Sequence, residues 1–111
     1  MEFVASHKYA PISARKARLV IDLIRGKHVN DALQILRATP KRAGYFTDKV
    51  LRSAIANADQ SLTAEMDALR VKSATVDEGP TRSKWHPRAR GRVAKILNRS
   101  CHITIVLDDG Q

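Results

Sequence analysis

The chain has 111 residues, the size of one domain, and its 20 Lys and Arg against 11 Asp and Glu give a net charge of +9. So large a basic excess opposes folding by self-repulsion and predicts a polyanionic partner such as nucleic acid. A single cysteine, Cys101, excludes a disulfide framework and a zinc site built from cysteines. No apolar run approaches the ~20 residues that a membrane span requires, and the first residues lack a signal peptide's apolar core. We therefore expect a soluble, intracellular, cytoplasmic protein.

The first 25 residues predict a strand and then a helix. Residues 2–10 read as a short strand with Phe3, Ala5 and His7 on one side, and the proline that follows ends it. Ser13 is the expected N-cap of a helix that runs to about Arg25. Its apolar residues recur at helical spacing and predict a buried face. They are Ala17, Val20, Ile21 and Ile24.

Two further helices are predicted before the middle of the chain. Asn30 is the expected cap of a short helix that turns Ala32, Leu33 and Leu36 inward. Thr39 and Pro40 have the residue types of an N-cap and a first helical position, so a third helix is expected from there to about Ala58. Its buried stripe is predicted at Ala43, Phe46, Val50, Ala54 and Ala58, and residues 59–67 are expected to be a loop.

From residue 69 onward the apolar period changes to two, which is typical of strands. The first run, 69–76, predicts one face at Leu69, Val71, Ser73 and Thr75. The second, 101–108, predicts one face at Cys101, Ile103, Ile105 and Leu107. Antiparallel pairing of the two runs places the turn near residues 87–91, where Pro87 and Gly91 are turn-forming types. The segment that connects the two paired runs is therefore much longer than a turn requires.

Because this connecting segment is so long, it is predicted to project beyond the sheet. If the apolar ends form the sheet, about ten residues on each side, 77–86 and 91–100, extend roughly 33 Å beyond it at ~3.3 Å per residue. The predicted fold class is α+β, with three helices packed on a small antiparallel three-stranded sheet and a long projecting β-hairpin. We expect a single domain, 1–111, with a globular body at 1–76 and 101–111 and an extended arm at 77–100.

The projecting segment is strongly basic, because no Asp or Glu occurs between Gly79 and Leu107. Like charges that face one another across a ladder destabilise it, and an isolated hairpin is marginal in water. Two interpretations remain open: a disordered basic loop, or a hairpin that surrounding phosphates order. Two interpretations also remain open for Trp85. Its ring suits stacking on an unpaired base, or it folds back over its own hairpin.

A second basic cluster lies on the strand and helices of the first half. It includes His7, Lys8, Arg15, Lys16, Arg18, Arg25, Lys27 and His28, and Lys41 and Arg42 near the start of the third helix. Cations at a helix N-terminus oppose the helix dipole, which indicates that phosphate contact outweighs helix stability there. A solvated basic surface is the alternative for any single residue.

No catalytic or metal-binding constellation is found in the sequence. Cys101 and His102 are neighbours in a predicted strand, so their side chains point to opposite faces and cannot act as a nucleophile and its base. The four histidines show no metal-ligand spacing, and no glycine-rich phosphate loop precedes a helix. We therefore expect no enzyme activity, no cofactor and no metal.

Four segments together resemble one family. They are SARKARLVIDLIRGK (13–27), KVLRSAIANA (49–58), VDEGPTRSKWHPRARGR (76–92) and HITIVL (102–107). In this order and spacing they are similar to bacterial large-subunit ribosomal protein twenty-two. The resemblance implies a structural constituent of the large ribosomal subunit that binds its RNA and supports subunit assembly. Its implied partners are that RNA, neighbouring large-subunit proteins and the nascent peptide, with no membrane.

The resemblance also implies the location of the hairpin, which in this family threads through RNA and lines the peptide exit tunnel. Variation in such tips is associated with macrolide response and nascent-chain stalling. The family's RNA contacts correspond to Arg15, Lys16, Arg18, Arg82, Lys84, Arg88, Arg90 and Arg92, and we add Lys8, Arg25, Lys27, Lys41, Arg42, Lys95 and Arg99 as basic neighbours. The implied tunnel-lining tip is Lys84, Trp85, His86, Pro87, Arg88, Ala89, Arg90 and Gly91. Trp85 and His86 depart from the family pattern, which is usually aliphatic here.

A second hypothesis arises from the residues alone, a DNA-bending protein whose basic β-arm carries Pro87 as a wedge for the minor groove. The second basic cluster argues against it, because cations on two sides suit enclosure by RNA better than a single duplex groove.

Overall fold

A three-stranded antiparallel sheet, a two-stranded hairpin and three helices make up the computed structural model, which describes residues 1–62, 65–87, 89–91 and 93–110. The sheet and hairpin strands are β1 (Glu2–Ala10), β2 (Arg70–Glu78), β3 (Arg82–Pro87), β4 (Val93–Asn98) and β5 (Cys101–Asp108). The helices are α1 (Ala14–Ile24), α2 (Val29–Ala38) and α3 (Arg42–Gln60), with short 3-10 turns at Met66–Ala68 and Ala89–Gly91. The predicted α+β class is confirmed.

The last strand, β5, is the centre of the sheet, between β1 and β2. Its alternation is as predicted, with Cys101, Ile103, Ile105 and Leu107 fully buried under the helices. On β2 the predicted face is only partly right. A register shift between Val71 and Ser73 moves the inward positions by one, so Ala74 and Val76 are buried while Thr75 is exposed. A bulge of this kind leaves no mark on a strictly alternating pattern.

The helices cover one face of the sheet, with α3 against β1 and α1 against β2. Ser13 caps α1 as predicted, its hydroxyl accepting a hydrogen bond from the amide of Lys16 at 3.4 Å. The stripe predicted on α3 is confirmed, since all five of its residues are buried. Small alanines in that stripe let α3 approach its neighbours closely.

Two predicted caps are wrong. Helix α2 is capped by His28 rather than Asn30, because the His28 Nδ1 atom accepts the amide hydrogen of Asn30 at 3.2 Å and the helix already begins at Val29. Helix α3 begins at Arg42 and not at Pro40. The Thr39 hydroxyl is unavailable as its cap, since it donates to the carbonyl of Ile35 at 2.7 Å and closes α2 instead.

The projecting hairpin consists of β3 and β4, paired from Arg82↔Asn98 to Pro87↔Val93. Its turn lies where it was predicted, with Arg90 at φ 63° and Gly91 at φ 73°. Left-handed backbone of this kind favours glycine. The molecule measures 64 × 24 × 17 Å, and its radius of gyration of 17.1 Å exceeds the ~13 Å expected of a compact chain of this size. The hairpin therefore extends well away from the helices.

In the described part of the chain, no helix combines the length and the apolar character that crossing a membrane requires.

Candidate nucleic-acid interface

The hairpin register separates its cations from one another. Arg82 lies opposite Asn98, Lys84 opposite a neutral residue, and Lys95 opposite Trp85. The like-charge opposition expected from the composition is therefore avoided at the described pairs, which lowers the cost of pairing. Every side chain of β3 is exposed, so none of the six residues of this strand contributes to an apolar core.

Strand alternation gives the hairpin two different faces. One carries Arg82, Lys84 and Asn98, and the other carries Trp85 and Lys95. The Trp85 side chain is 68% exposed. A ring folded back over its own hairpin would be covered, so the folded-back interpretation of Trp85 is wrong, and stacking on an unpaired base stays a prediction.

The base of the hairpin is joined to the sheet by two hydrogen bonds. The amide of Gly79 donates to the carbonyl of Ser100 at 3.0 Å, and the Ser100 hydroxyl donates to the carbonyl of Pro80 at 2.7 Å. A Cβ atom at position 79 would lie only 2.6 Å from the Ser100 oxygen. Glycine at position 79 thus allows a close approach between the end of β2 and Ser100, which no pattern in the sequence revealed.

A cleft of about 810 Å³ lies where the hairpin meets the helices, and we call it the basic cleft. Its cationic lining residues come from four different elements or connections: Lys16 on α1, Arg42 on α3, Arg82 and Lys84 on β3, and Arg99 beyond β4. No acidic residue is among the described residues that line it. The two basic clusters seen separately in the sequence thus meet in one concave surface of positive potential.

The remaining predicted cations of the body are exposed but are not among the described residues that line this cleft. They are Lys8, Arg15, Lys27 and Lys41. Lys41 is the N-cap residue of α3 and makes no side-chain capping bond. Arg42 lies with its guanidinium carbon 5.5 Å from the centre of the Phe46 ring. Neither side chain has an ion-pair partner among the described residues.

Arg18 and Arg25 have a different environment. Arg18 donates from Nε and Nη2 to the Val76 carbonyl at 3.2 and 2.9 Å. Arg25 donates from Nε and Nη2 to the Ala74 carbonyl at 3.3 and 2.6 Å, and also pairs with Asp22 at 2.6 Å. Strand β2 is an edge of the sheet, and these two arginines cover its outward carbonyls. Sequence patterning could not find this role, because it depends on how α1 lies against β2.

The tip and its neighbours are described only in part. Lys84, Trp85, His86, Pro87, Ala89, Arg90 and Gly91 are all exposed, as are Lys95 and Arg99. Arg88 and Arg92, which were predicted to bind RNA, lie outside the described residues. Their roles stay predictions.

The structure offers no catalytic arrangement in the part of the chain that it describes. Cys101 is fully buried, and burial raises the pKa of its thiol, although the nearby charge of Arg18 opposes the shift. A protonated, buried thiol is a poor nucleophile. Among the described residues, no group of three or more His, Cys, Asp or Glu is placed to hold a metal ion.

The chain is similar to known proteins over nearly its whole length. Residues 5–108 match the family described as ribosomal protein L22p/L17e. The chain is 53% identical over 107 residues to the large ribosomal subunit protein uL22 of Syntrophobacter fumaroxidans, an alignment that covers 96% of this chain and 97% of that protein.

Proposed function

This chain belongs to the ribosomal protein L22p/L17e family, and we propose that it binds large-subunit ribosomal RNA through the basic cleft and the hairpin, with the hairpin tip lining the nascent-peptide exit tunnel. The family establishes the coarser statement: the protein is a constituent of the large subunit of the cytoplasmic ribosome, takes part in translation and is not an enzyme. The predictions of family, localisation and absence of enzyme activity are confirmed.

One observation carries the RNA-binding proposal, the convergence of cations in the basic cleft without an acidic neighbour among its described lining residues. Cations from separate elements that line one cleft repel one another, and no described carboxylate of the cleft neutralises them. Phosphates of a folded RNA supply the missing charge on both sides of the cleft. The described cations of the hairpin also face solvent, and phosphates along the hairpin neutralise them in the same way.

The proposed contacts fall into groups by environment. Exposed cations that bind phosphate are Lys8, Arg15, Lys16, Lys27, Lys41, Arg42, Arg82, Lys84, Arg90, Lys95 and Arg99. Arg18 and Arg25 combine RNA contact with coverage of the β2 edge. Arg88 and Arg92 complete the set on the resemblance alone.

Length supports the tunnel-lining part of the proposal. A molecule 64 Å long and 17–24 Å thick carries its tip far from the helices, so RNA can enclose the tip while the body stays on the surface of the subunit. At such a tip, Lys84–Gly91 is the segment that meets the nascent peptide. An isolated two-stranded hairpin is marginal in water, so enclosure by RNA stabilises it, and in this way binding supports subunit assembly.

Filter binding across a salt series tests the RNA proposal. The probes are transcripts of large-subunit ribosomal RNA domains and a duplex DNA of equal charge. We expect tighter binding to one RNA domain than to DNA. Equal affinity for DNA, with no preference among RNA domains, contradicts the proposal and favours the DNA-bending hypothesis.

A matched pair of triple variants tests the hairpin. Replacing Arg82, Lys84 and Lys95 with Gln removes three proposed phosphate contacts. Each contact contributes about 0.7–0.9 to the slope of log K against log salt, so we expect the slope to become shallower by about 2–3 units. The control replaces Arg37, Arg52 and Lys72 with Gln, which removes the same net charge away from the cleft. Its slope should stay within about one unit of the slope of the unchanged chain. Equal slopes for the two variants contradict hairpin binding.

A further inference from the structure

Tyr9 has an unusual position on β1. The pairing with β5 passes from His7↔Ile103 to Ala10↔Cys101, so two residues, Lys8 and Tyr9, lie opposite the single residue His102. At this bulge Tyr9 adopts φ 60° and its side chain is 64% exposed. Left-handed backbone is rare for a bulky residue and costs free energy, so it persists only where neighbouring contacts hold it.

His102 provides those contacts. The amide of Tyr9 donates to His102 Nδ1 at 3.0 Å, and the two rings meet edge-on with centroids 4.9 Å apart and an angle of 89° between their planes. The Cε1 atom of His102 lies 3.3 Å from the position of a Cβ at Gly79. The Tyr9 ring is therefore held in place from the sheet side, next to the base of the hairpin, while most of its surface stays open.

The open side of Tyr9 faces a small cavity of about 350 Å³ at the junction of the hairpin and the body. Its other lining residues are Pro11, Pro80, Arg82, Asn98, Arg99 and Ser100. Arg82 and Arg99 also line the basic cleft, so the two spaces share their cations. No acidic side chain is found among the described residues of this lining.

We infer that Tyr9 is a stacking platform for one unpaired base of an RNA strand whose phosphates bind Arg82 and Arg99, an inference that rests on the proposed RNA-binding function. An exposed aromatic ring beside arginines is the chemistry that recognises an unstacked base, because every base offers a flat face while its phosphates seek the cations. A ring fixed by its neighbours loses little freedom on binding, which favours affinity. An apolar protein segment fits less well, since it would leave both arginines uncompensated.

The test measures binding of the full chain to the large-subunit RNA transcript that it prefers. Tyr9→Ala should weaken binding by about 5- to 150-fold, the range measured for loss of one base–aromatic stack. Tyr9→Phe should stay within about twofold, because the ring and not the hydroxyl makes the stack. The salt slope should not change, since stacking releases no counterions.

Tyr45→Ala is the matched control. This tyrosine is 59% exposed on α3, lines neither cavity, and is already covered by Lys49, whose Nζ lies 4.5 Å from the ring centre. We expect its affinity to stay within about twofold of the unchanged chain. Should Tyr9→Ala lower the melting temperature, Tyr9→Leu replaces it, because leucine keeps apolar bulk without a stacking face.

Two results of these measurements overturn the inference. They are unchanged affinity of the Tyr9→Ala or Tyr9→Leu variant, and an equal loss of affinity in Tyr45→Ala. Each leaves the RNA-binding proposal standing, whereas failure of the unchanged chain to prefer ribosomal RNA contradicts that proposal itself. Binding of a peptide at this cavity in competition with RNA, with Tyr9→Ala affecting only the peptide, also overturns the inference in favour of a protein partner.

Discussion

Gly79→Ala is the substitution that most directly perturbs the junction between the sheet and the hairpin. The φ of Gly79 is not in the left-handed region, so alanine meets no backbone strain there. The new Cβ would lie 2.6 Å from the Ser100 hydroxyl oxygen, closer than real contacts allow, and 3.3 Å from the Ser100 carbonyl carbon. The hydroxyl must therefore rotate and give up its 2.7 Å bond to the Pro80 carbonyl.

The expected cost follows from these contacts. Losing one partly exposed hydrogen bond lowers the free energy of unfolding by about 0.5–1 kcal/mol. The remaining contacts at 3.3 Å, with the Ser100 carbonyl carbon and the His102 ring, add about 1 kcal/mol, the lower end of the usual cost of overpacking. We therefore expect about 1.5–2 kcal/mol for Gly79→Ala and about 0.5–1 kcal/mol for Ser100→Ala, which loses only the bond. The double variant should cost about as much as Gly79→Ala alone, because the bond is lost only once while the contacts at 3.3 Å persist.

Urea unfolding of the four proteins measures the coupling, which we expect to be about 0.5–1 kcal/mol, the free energy of the one bond that both single variants lose. Hydrogen exchange of the amide at position 79 is the local measurement, because that amide donates to the Ser100 carbonyl. Protection should fall in Gly79→Ala and recover only in part in the double variant, where the closest contact is removed but those at 3.3 Å persist. Additive free energies together with unchanged exchange would refute the close approach at this junction.

Three further predictions concern other parts of the molecule. Arg18→Gln should lower the free energy of unfolding by about 1–2 kcal/mol because it uncovers the Val76 carbonyl, and Arg15→Gln should stay within about 0.5 kcal/mol; equal effects in thermal melts contradict the edge role of Arg18. Cys101, buried and with its thiol pKa raised, should react with a disulfide reagent about a thousandfold more slowly in the folded protein than in urea, and immediate labelling of the folded chain contradicts its burial. Trp85 fluorescence should show a water-exposed emission maximum in the free protein and a shift on RNA binding, whereas a blue-shifted maximum without RNA would mean that the tip packs on itself.

Sequence patterning predicted those elements whose burial is periodic and uninterrupted. The alternation of Cys101, Ile103, Ile105 and Leu107 and the stripe on α3 were predicted residue by residue, since each follows from one period and one buried face. The strand face after Val71 was missed because a bulge changes the period without changing the residue types. The predicted N-cap at Thr39 was wrong because its hydroxyl had two possible partners and donates to the Ile35 carbonyl of the preceding helix.

The candidate interface was likewise predictable from the sequence only in the features that a local pattern contains. Charge counts predicted that the hairpin and the first helices are basic, and the resemblance supplied their common partner. The convergence of Lys16, Arg42 and Arg82 in one cleft depends on tertiary packing, which no local pattern contains. Tyr9 was overlooked because its exposure and its backbone conformation both arise from the bulge opposite His102.

Photocrosslinking from position 85 in assembled large subunits tests the central claim, that the hairpin lies within ribosomal RNA and its tip reaches the exit tunnel. A benzophenone amino acid replaces the exposed Trp85, and the control places it at Leu62, which is 92% exposed on the body. From position 85 we expect adducts with large-subunit RNA and, in translating ribosomes, with the nascent peptide, while position 62 gives no nascent-peptide adduct. The account is contradicted if position 85 crosslinks only to proteins on the subunit surface, or if both positions give the same products.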